Sequence, residues 1–393
     1  MTDLGIVMPL YYQKEEHIKE SIRTILNQSH NDFIFYIVID GAPDLLPLVQ
    51  SVTRTDPRVK IISYQKNQGV AHALNTGFNE LYKIPTIKYV TWVSSDNIHY
   101  PFFLKTLYDG IKNSSPDIGI VYTSFNRILD NGEPAHDKSF LKTLHNWQGG
   151  PLETMFEGCM IGPSFIHKVE YCKMIAPYRF KLIQDYDYWL RMMDHCNIKY
   201  IPIETMEYRI NSPMSLSTNI KQNREYHRVC WNEVHLAHWE TRQRRGILPE
   251  LTIVYYLKEA TEQTLLNYGH VIDQFWTNYK LYLVNSNPNN NLKKVQETYN
   301  DPRVTYVNGV HTEPRKALEK IIKELDTPYF MFCDGSDYFG YRRNLKLLIN
   351  EVKSKPEVTA AKLKKNKKIA ITTKKLKKLI PYTIYSKRGI NWI

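Results

Sequence analysis

Phe33-Ile34-Phe35-Tyr36-Ile37-Val38-Ile39-Asp40-Gly41 is an apolar run closed by a carboxylate and a glycine. A strand with one wet face alternates apolar and polar residues. An unbroken run bounded by turn residues reads instead as a strand buried on both faces, the condition of a central strand in a parallel sheet. The run ends in Asp40-Gly41-Ala42-Pro43-Asp44, a turn by composition. Upstream, Ile6 to Leu10 is a short buried-type strand. Ile18, Ile22, Ile25 and Leu26 then fall at i, i+4, i+7 and i+8 on one helix face. Downstream, Lys60 to Tyr64 reads as a strand, Val70 to Leu81 as a helix, and Tyr89 to Val93 as a strand running into Ser94-Ser95-Asp96-Asn97. Strand–helix alternation predicts a parallel sheet with right-handed crossovers. Such sheets bind ligands at the carboxyl ends of their strands. The loops carrying Tyr11, Asp40, Asn67 to Gly69 and Asp96 are therefore where chemistry is expected.

The chain has 393 residues, enough for two or three domains. Lys+Arg is 52 against Asp+Glu 40, a net charge of +12. From Lys362 onward there are ten Lys, one Arg and no acid, so 41 bases face 40 acids before it and the body carries only +1. The five Cys (159, 172, 196, 230 and 333) are scattered and form no CxxC pair. That excludes a disulfide framework or a Cys-based zinc site and fits a reducing compartment. No basic and apolar leader opens the chain, and no apolar run nears the roughly 20 residues that span a bilayer. The expectation is a cytoplasmic protein, at most peripheral to a membrane.

Residues 100–218 are less regular and rich in aromatics. Thr218 to Arg245 has no Gly or Pro and ends at Gly246, which reads as one long connecting helix. The pattern then restarts. Thr252 to Tyr256 matches the first strand, Leu281 to Asn285 the second, and Tyr329 to Asp334 the strand before Asp96. Asp301-Pro302-Arg303-Val304 repeats Asp56-Pro57-Arg58-Val59. This predicts an internal repeat of the first 100 residues, with Asn285 where the first copy has Asp40. His235 and His238, three apart on the connecting helix, read as surface histidines, since no HExxH or Cys cluster accompanies them.

The ordered set resembles the family 2 glycosyltransferases of GT-A fold. It comprises Ile6 to Tyr11, Leu26-Asn27-Gln28-Ser29, Ile39-Asp40-Gly41, Asn67-Gln68-Gly69, Trp92 to Asn97, Gln184-Asp185-Tyr186-Asp187 and Tyr208-Arg209. The resemblance covers about residues 4–218. It implies an α/β fold, a Rossmann-like mixed sheet that binds a nucleotide-diphospho-sugar, followed by a second, smaller Rossmann-like unit. The implied organisation is a catalytic domain at 1–218 (nucleotide half 1–100, acceptor half 101–218), a connecting helix at 219–250, a truncated second GT-A-like domain at 251–350, and a basic segment at 351–393.

The resemblance also implies roles. Asp40 would accept a hydrogen bond from a uracil-type N–H; read alone, it is rather a turn or N-cap residue. Tyr11 would stack on the base. Pro9, Asn67, Gly69 and Ser95 would line the donor site. Asp96 would bind the donor diphosphate through Mn2+ or Mg2+. Ser94 and Asn211, standing where the family often has an Asp and a His, put metal dependence in question. Asp185 would be the general base of an inverting transfer, with Asp187 its nearest rival. Glu157, Gln184, Tyr186 and Trp189 are the acceptor-side candidates. Asp334 and Asp337, in the second copy, form a more Asp-rich turn than that of Asp96 and could mark a second active site, but the missing acceptor half and Asn285 favour a structural or assembly role.

The function so implied is transfer of a sugar from a nucleotide donor, UDP-linked by the Asp40 analogy, to the hydroxyl of a glycan, a wall polymer or a hydroxymethylated DNA base. The different-class reading is a non-catalytic protein that binds sugar nucleotides or polyanions, since Ser94, Gln184 and Asn211 erode the pattern. The lysine-rich end is compatible with an anionic membrane surface, with a nucleic acid or other polyanionic acceptor, or with a solvated face of the second domain. Homo-oligomerisation is compatible with the chain and not indicated by it.

Overall fold

The computed structural model describes residues 2–135, 137–308, 321, 324–333 and 339–354 in full, and residues 360–364, 367–371 and 383–386 as backbone. The chain forms two compact units, Met1–Cys230 and Trp231–Ile393.

The first unit is built on an eight-stranded sheet. Its strands are β1 (Leu4–Leu10), β2 (Ile34–Asp40), β3 (Val59–Tyr64), β4 (Tyr89–Trp92), β5 (Ile98–His99), β6 (Ile118–Ile128), β7 (Phe165–Lys168) and β8 (Asn197–Arg209), in the order β3-β2-β1-β4-β7-β6-β8-β5. The first four pair in parallel. β7 runs antiparallel to β4 and to β6. Strand order therefore reverses direction between β1 and β4, and the ends of β1, β2, β3 and β4 open on one edge. That is the ligand crevice of such sheets. The helix Glu15–Leu26 buries Ile18, Ile22 and Ile25 against this sheet, as its spacing predicts. Full burial of each such side chain contributes about 1.5–3 kcal/mol.

The second unit carries a seven-stranded sheet. It contains β9 (Leu251–Leu257), β10 (Tyr279–Asn285), β11 (Val304–Asn308), β12 (Tyr329–Cys333), β13 (Ala360–Lys364), β14 (Lys367–Ile371) and β15 (Thr383–Ser386), in the order β11-β10-β9-β12-β15-β13-β14. Its parallel part repeats the order of β3-β2-β1-β4, and an antiparallel strand again follows. Lysines of the basic end lie in the antiparallel pair β13–β14, so this part is sheet. Residues 365–366, 372–382 and 387–393 of that end, and Asp334 and Asp337, lie outside the described residues.

The two DPRV segments do the same work in each unit. Arg58 donates from Nε and Nη2 to the two oxygens of Asp56 (3.0 and 2.7 Å), and from Nη2 to Leu26 O at the end of the preceding helix. Arg303 donates likewise to Asp301 (2.9 and 2.6 Å) and to Ile272 O, the end of the helix Glu262–Ile272. A second pair of clamps was not legible in the sequence. Gln28 donates to Thr24 O and accepts from Leu104 N; Gln274 donates to His270 O and accepts from Leu345 N.

Two expectations about the middle of the chain are corrected. The long helix is two, Leu216–Gln222 and Arg224–Arg244, because Asn223 takes an extended conformation between them. His235 and His238 are fully buried, not on the surface. His235 Nε2 meets Asp273 Oδ1 at 3.1 Å and His238 Nδ1 meets Thr277 Oγ1 at 3.0 Å. Both partners lie far along the chain, so helical spacing alone did not show them.

Candidate active site

Asp40 closes β2 with its carboxylate turned back onto the loop after β3. Its oxygens accept from Gln68 N (2.7 Å), Gly69 N (2.8 Å) and Asn67 Nδ2 (3.1 Å). The carboxylate thus shapes the start of the helix Val70–Tyr82, where orphan amides favour an anion. Gly41 has φ +72°, and a Cβ there would lie 2.0 Å from Asn67 N, so the two loops touch through a missing side chain. Gly69 has φ +93° with open space around it, which leaves room for a ligand at the helix start. Tyr11 is 47% exposed at the end of β1, in edge contact with Tyr12, and free to meet a ring. Pro9 lies in β1 beside Val38, and Ser95 is buried next to Asp96.

Asp96 is buried, and burial raises its pKa against the opposing influence of Ser94 and Arg209. Ser94 Oγ donates to its Oδ1 at 2.6 Å, so the residue at the expected first Asp supports the second one. Gln13 Nε2 stands 3.4 Å from Oδ2. Asn97 Oδ1 accepts from Arg209 N, and Asn211 is exposed in a left-handed conformation, φ 60°. Asp96 is therefore the single carboxylate of this turn. Among the described residues no group of three His, Cys, Asp or Glu could hold a metal. The donor set fits a hard cation only if other oxygens complete the shell.

The helix Gln184–Met192 carries two carboxylates with opposite surroundings. Asp187 is buried and held by Arg179 (2.7 and 3.1 Å) and Arg191 (2.9 Å). Asp185 is partly open, but its Oδ1 is buried with no hydrogen-bond partner, as is the Trp92 indole nitrogen. Burial pushes the Asp185 carboxyl up to about 7, with the Trp92 indole favouring the ionised form. Cys159 feels the Asp185 charge, and burial raises its thiol to about 11. Burial raises the Tyr208 hydroxyl, and Asp96 and Asp185 both add to that rise.

The acceptor-side expectations divide. Gln184 is buried with Oε1 unpartnered, beside Asp185. Glu157 follows the short turn Leu152–Phe156 and is half-buried. Tyr186 donates its hydroxyl to Met155 O, which fastens that turn to the helix. Trp189 is corrected: it is fully buried, edge-on to Phe165 at 4.6 Å, and belongs to the core. Arg209, quoted in the sequence only as part of a closing motif, is the residue whose structural weight was missed. Most of its guanidinium's partners are main-chain carbonyls, which leave no side-chain signal.

The sequence profile described as "Glycosyl transferase family 2" matches residues 5–182. Residues 5–182 are a family 2 glycosyltransferase domain. The chain is 26% identical over 246 residues to an uncharacterized glycosyltransferase of Methanocaldococcus jannaschii, covering 61% of this chain and 80% of that one. It is 26% identical over 226 residues to the O-antigen biosynthesis glycosyltransferase WbnJ of Escherichia coli, covering 53% and 81%. Among solved structures it is similar to the mannosyltransferase PcManGT from Pyrobaculum calidifontis in complex with GDP-Man and Mn2+ (TM-score 0.44, 15% identity, 61% of this chain and 64% of that one). It is also similar to S. aureus TarS 1–349 in complex with UDP-GlcNAc (TM-score 0.46, 14% identity, 62% and 70%). The first sheet, parallel through β3-β2-β1-β4 and mixed beyond, is the GT-A arrangement that the motif order implies. Among the described residues no helix is long and apolar enough to cross a membrane.

Proposed function

We propose that the chain transfers a sugar from a nucleoside diphosphate sugar to an acceptor hydroxyl with inversion, and that Asp185 is the base. The observation that carries this is the contrast on one helix: Asp187 is neutralised by two arginines, while Asp185 presents an unpaired, partly buried carboxylate. Such a group with a pKa about 7 is matched to taking a proton at neutral pH. As the acceptor oxygen bonds to C1, its proton passes to Asp185. The C1–O bond to the diphosphate breaks, and its electrons leave with the nucleoside diphosphate. One carboxylate suffices, because no glycosyl-enzyme bond is made.

On the donor side, Tyr11 offers a stacking face, and Asp40 with Asn67 to Gly69 shapes the cradle for the base and ribose. Asp96 would hold Mn2+ or Mg2+ together with the diphosphate oxygens, and the cation would offset the charge of the leaving group. A uracil base is the donor proposal, resting on Asp40. The similarity to an O-antigen biosynthesis enzyme favours a glycan acceptor over a nucleic acid. In the test, Asp185→Asn is expected to lower turnover at least a thousandfold while UDP binding in calorimetry stays within threefold. Wild-type turnover in that variant would remove Asp185 from the role.

We further read the second unit as a duplicate of the nucleotide-binding half that has lost its donor site. The repeated strand order and the paired Arg and Gln clamps support duplication. Asn285, at the place of Asp40, is tied to Asn287, Asn290 and Asn308. One nucleotide per chain is expected; two would overturn this.

A further inference from the structure

Arg209 ends β8 and is 3% exposed. A guanidinium has five N–H groups in a fixed fork, so a buried one records what surrounds it. Arg209 Nε donates to Asp96 O at 2.9 Å. One terminal nitrogen donates to Leu129 O (3.1 Å) and Asp130 O (2.9 Å), and the other to Glu20 Oε2 (3.1 Å). Its main-chain N–H donates to Asn97 Oδ1 at 3.1 Å. One residue therefore grips the main chain of Asp96 and the side chain of Asn97. It ties both to the turn at 129–130 and to the helix Glu15–Leu26.

The elements around the turn need such a tie. β4 ends at Trp92, and β5 has only two residues and pairs with β8 alone. Between them Ser94 to Asn97 has no ladder of its own. Apart from Arg209, its holds from neighbouring elements among the described residues are Ser21 Oγ, which donates to Ser94 O at 2.8 Å, and the long Gln13 contact. A turn carrying one carboxylate must place it well, because no second acid shares the task.

We propose that Arg209 is the positioning residue of the donor turn: gripping Asp96 O and Asn97 Oδ1 from behind, it fixes where the Asp96 carboxylate meets the donor diphosphate. Lysine cannot replace it, since a single ammonium lacks the fork that reaches Asp96 O and the 129–130 carbonyls together. This rests on reading the Asp96 turn as the diphosphate site, and the test separates the two claims.

Binding of UDP and of GDP, each with Mn2+, is measured by calorimetry for the full chain and for Asp96→Asn, Arg209→Lys, Arg209→Met and Asn97→Ala. Uridine and guanosine are followed in parallel by saturation-transfer NMR. Expected are losses of tenfold or more for Asp96→Asn and both Arg209 variants, and of about threefold or more for Asn97→Ala, with nucleoside binding unchanged. A general loss of structure would weaken nucleoside and diphosphate alike, and that result overturns the proposal. So does diphosphate binding within twofold of wild type in the Arg209 variants while Asp96→Asn is impaired; the reading of Asp96 then stands. If Asp96→Asn itself binds like wild type, that reading fails and the inference with it. Should Arg209→Met not fold, Arg209→Lys and Asn97→Ala decide between these outcomes by the same criteria.

Discussion

Asp185 and Asp187 sit two positions apart on one helix, so they point to different sides, and their neighbours decide their chemistry. Asp187 is paired to Arg179 and Arg191; replacing its carboxylate strands two cations, one of them buried. Asp187→Asn is expected to cost about 3–5 kcal/mol, the usual penalty for breaking a buried pair, in urea unfolding. Asp185 behaves in the opposite way. Its pKa is raised by burial to about 7, so above that pH the fold holds an unfavourable charge. Asp185→Asn should therefore melt higher than wild type at pH 8, by a margin that shrinks as pH falls below about 7 and vanishes near the ordinary carboxylate value of about 4. The catalytic form is the ionised one, so turnover should rise with pH through about 7. A pH–rate profile with its acid limb near 4 would sink the assignment. Asp185→Asn melting below wild type at pH 8 would remove the strain argument.

At the scale of elements, the donor side is two loops held in contact, the turn at Asp40-Gly41 and the loop at Asn67 to Gly69. Gly41→Ala adds a methyl where only 2.0 Å separates it from Asn67 N, at a φ of +72°. The variant should lose about 1–3 kcal/mol and bind UDP several-fold more weakly, both measurable in one thermal-shift series. Unchanged UDP affinity would detach this loop pair from the donor site. These loops were legible because apolar runs such as Phe33 to Ile39 and punctuation such as Asp40-Gly41 are local signals. Long-range polar contacts were not. Trp189 reads as an aromatic near the reaction until Phe165 and His167, from β7, enclose it. His235 and His238 look exposed until Asp273 and Thr277 arrive from beyond the helix. Arg209 shows nothing in sequence, because its acceptors are largely carbonyls. β13 and β14 carry lysines at alternating and paired positions, which hides their strand period. The sequence reading therefore caught the parallel half of each sheet and missed what closes it.

For the whole molecule, the conspicuous charge is +12, yet the charge that matters to folding is the charge it excludes. Among the described residues, four histidines are held towards the neutral form. In the first unit, burial lowers His99 and His167 to about 3. In the second, burial and then Arg303 lower His235, against Asp301 and Asp273, while burial, Arg242, His235 and Arg303 lower His238. A histidine whose folded pKa is depressed stabilises the fold above its unfolded value near 6.5 and loses that contribution as pH falls. Each contributes up to about 1.4 kcal/mol per pH unit below that point. In the first unit Asp185 takes up a proton on folding in the same range and cancels about one of the two histidines, and the raised Asp96 adds to this nearer pH 4. In the second unit Asp301 gives no such offset, because Arg303 lowers it to about 2 despite its burial and it acts only at lower pH. The second unit should therefore weaken by up to about 3 kcal/mol per pH unit below 6.5, and the first by about half that. With a total stability of roughly 5–15 kcal/mol, the second unit is expected to open first between pH 6 and pH 4. Hydrogen exchange, corrected for the intrinsic pH dependence, would report it as lost protection in Leu251–Leu257 while Leu4–Leu10 stays protected. Protection lost in the reverse order, or constant in both segments from pH 7 to 5, would mean that the buried histidines do not control acid stability.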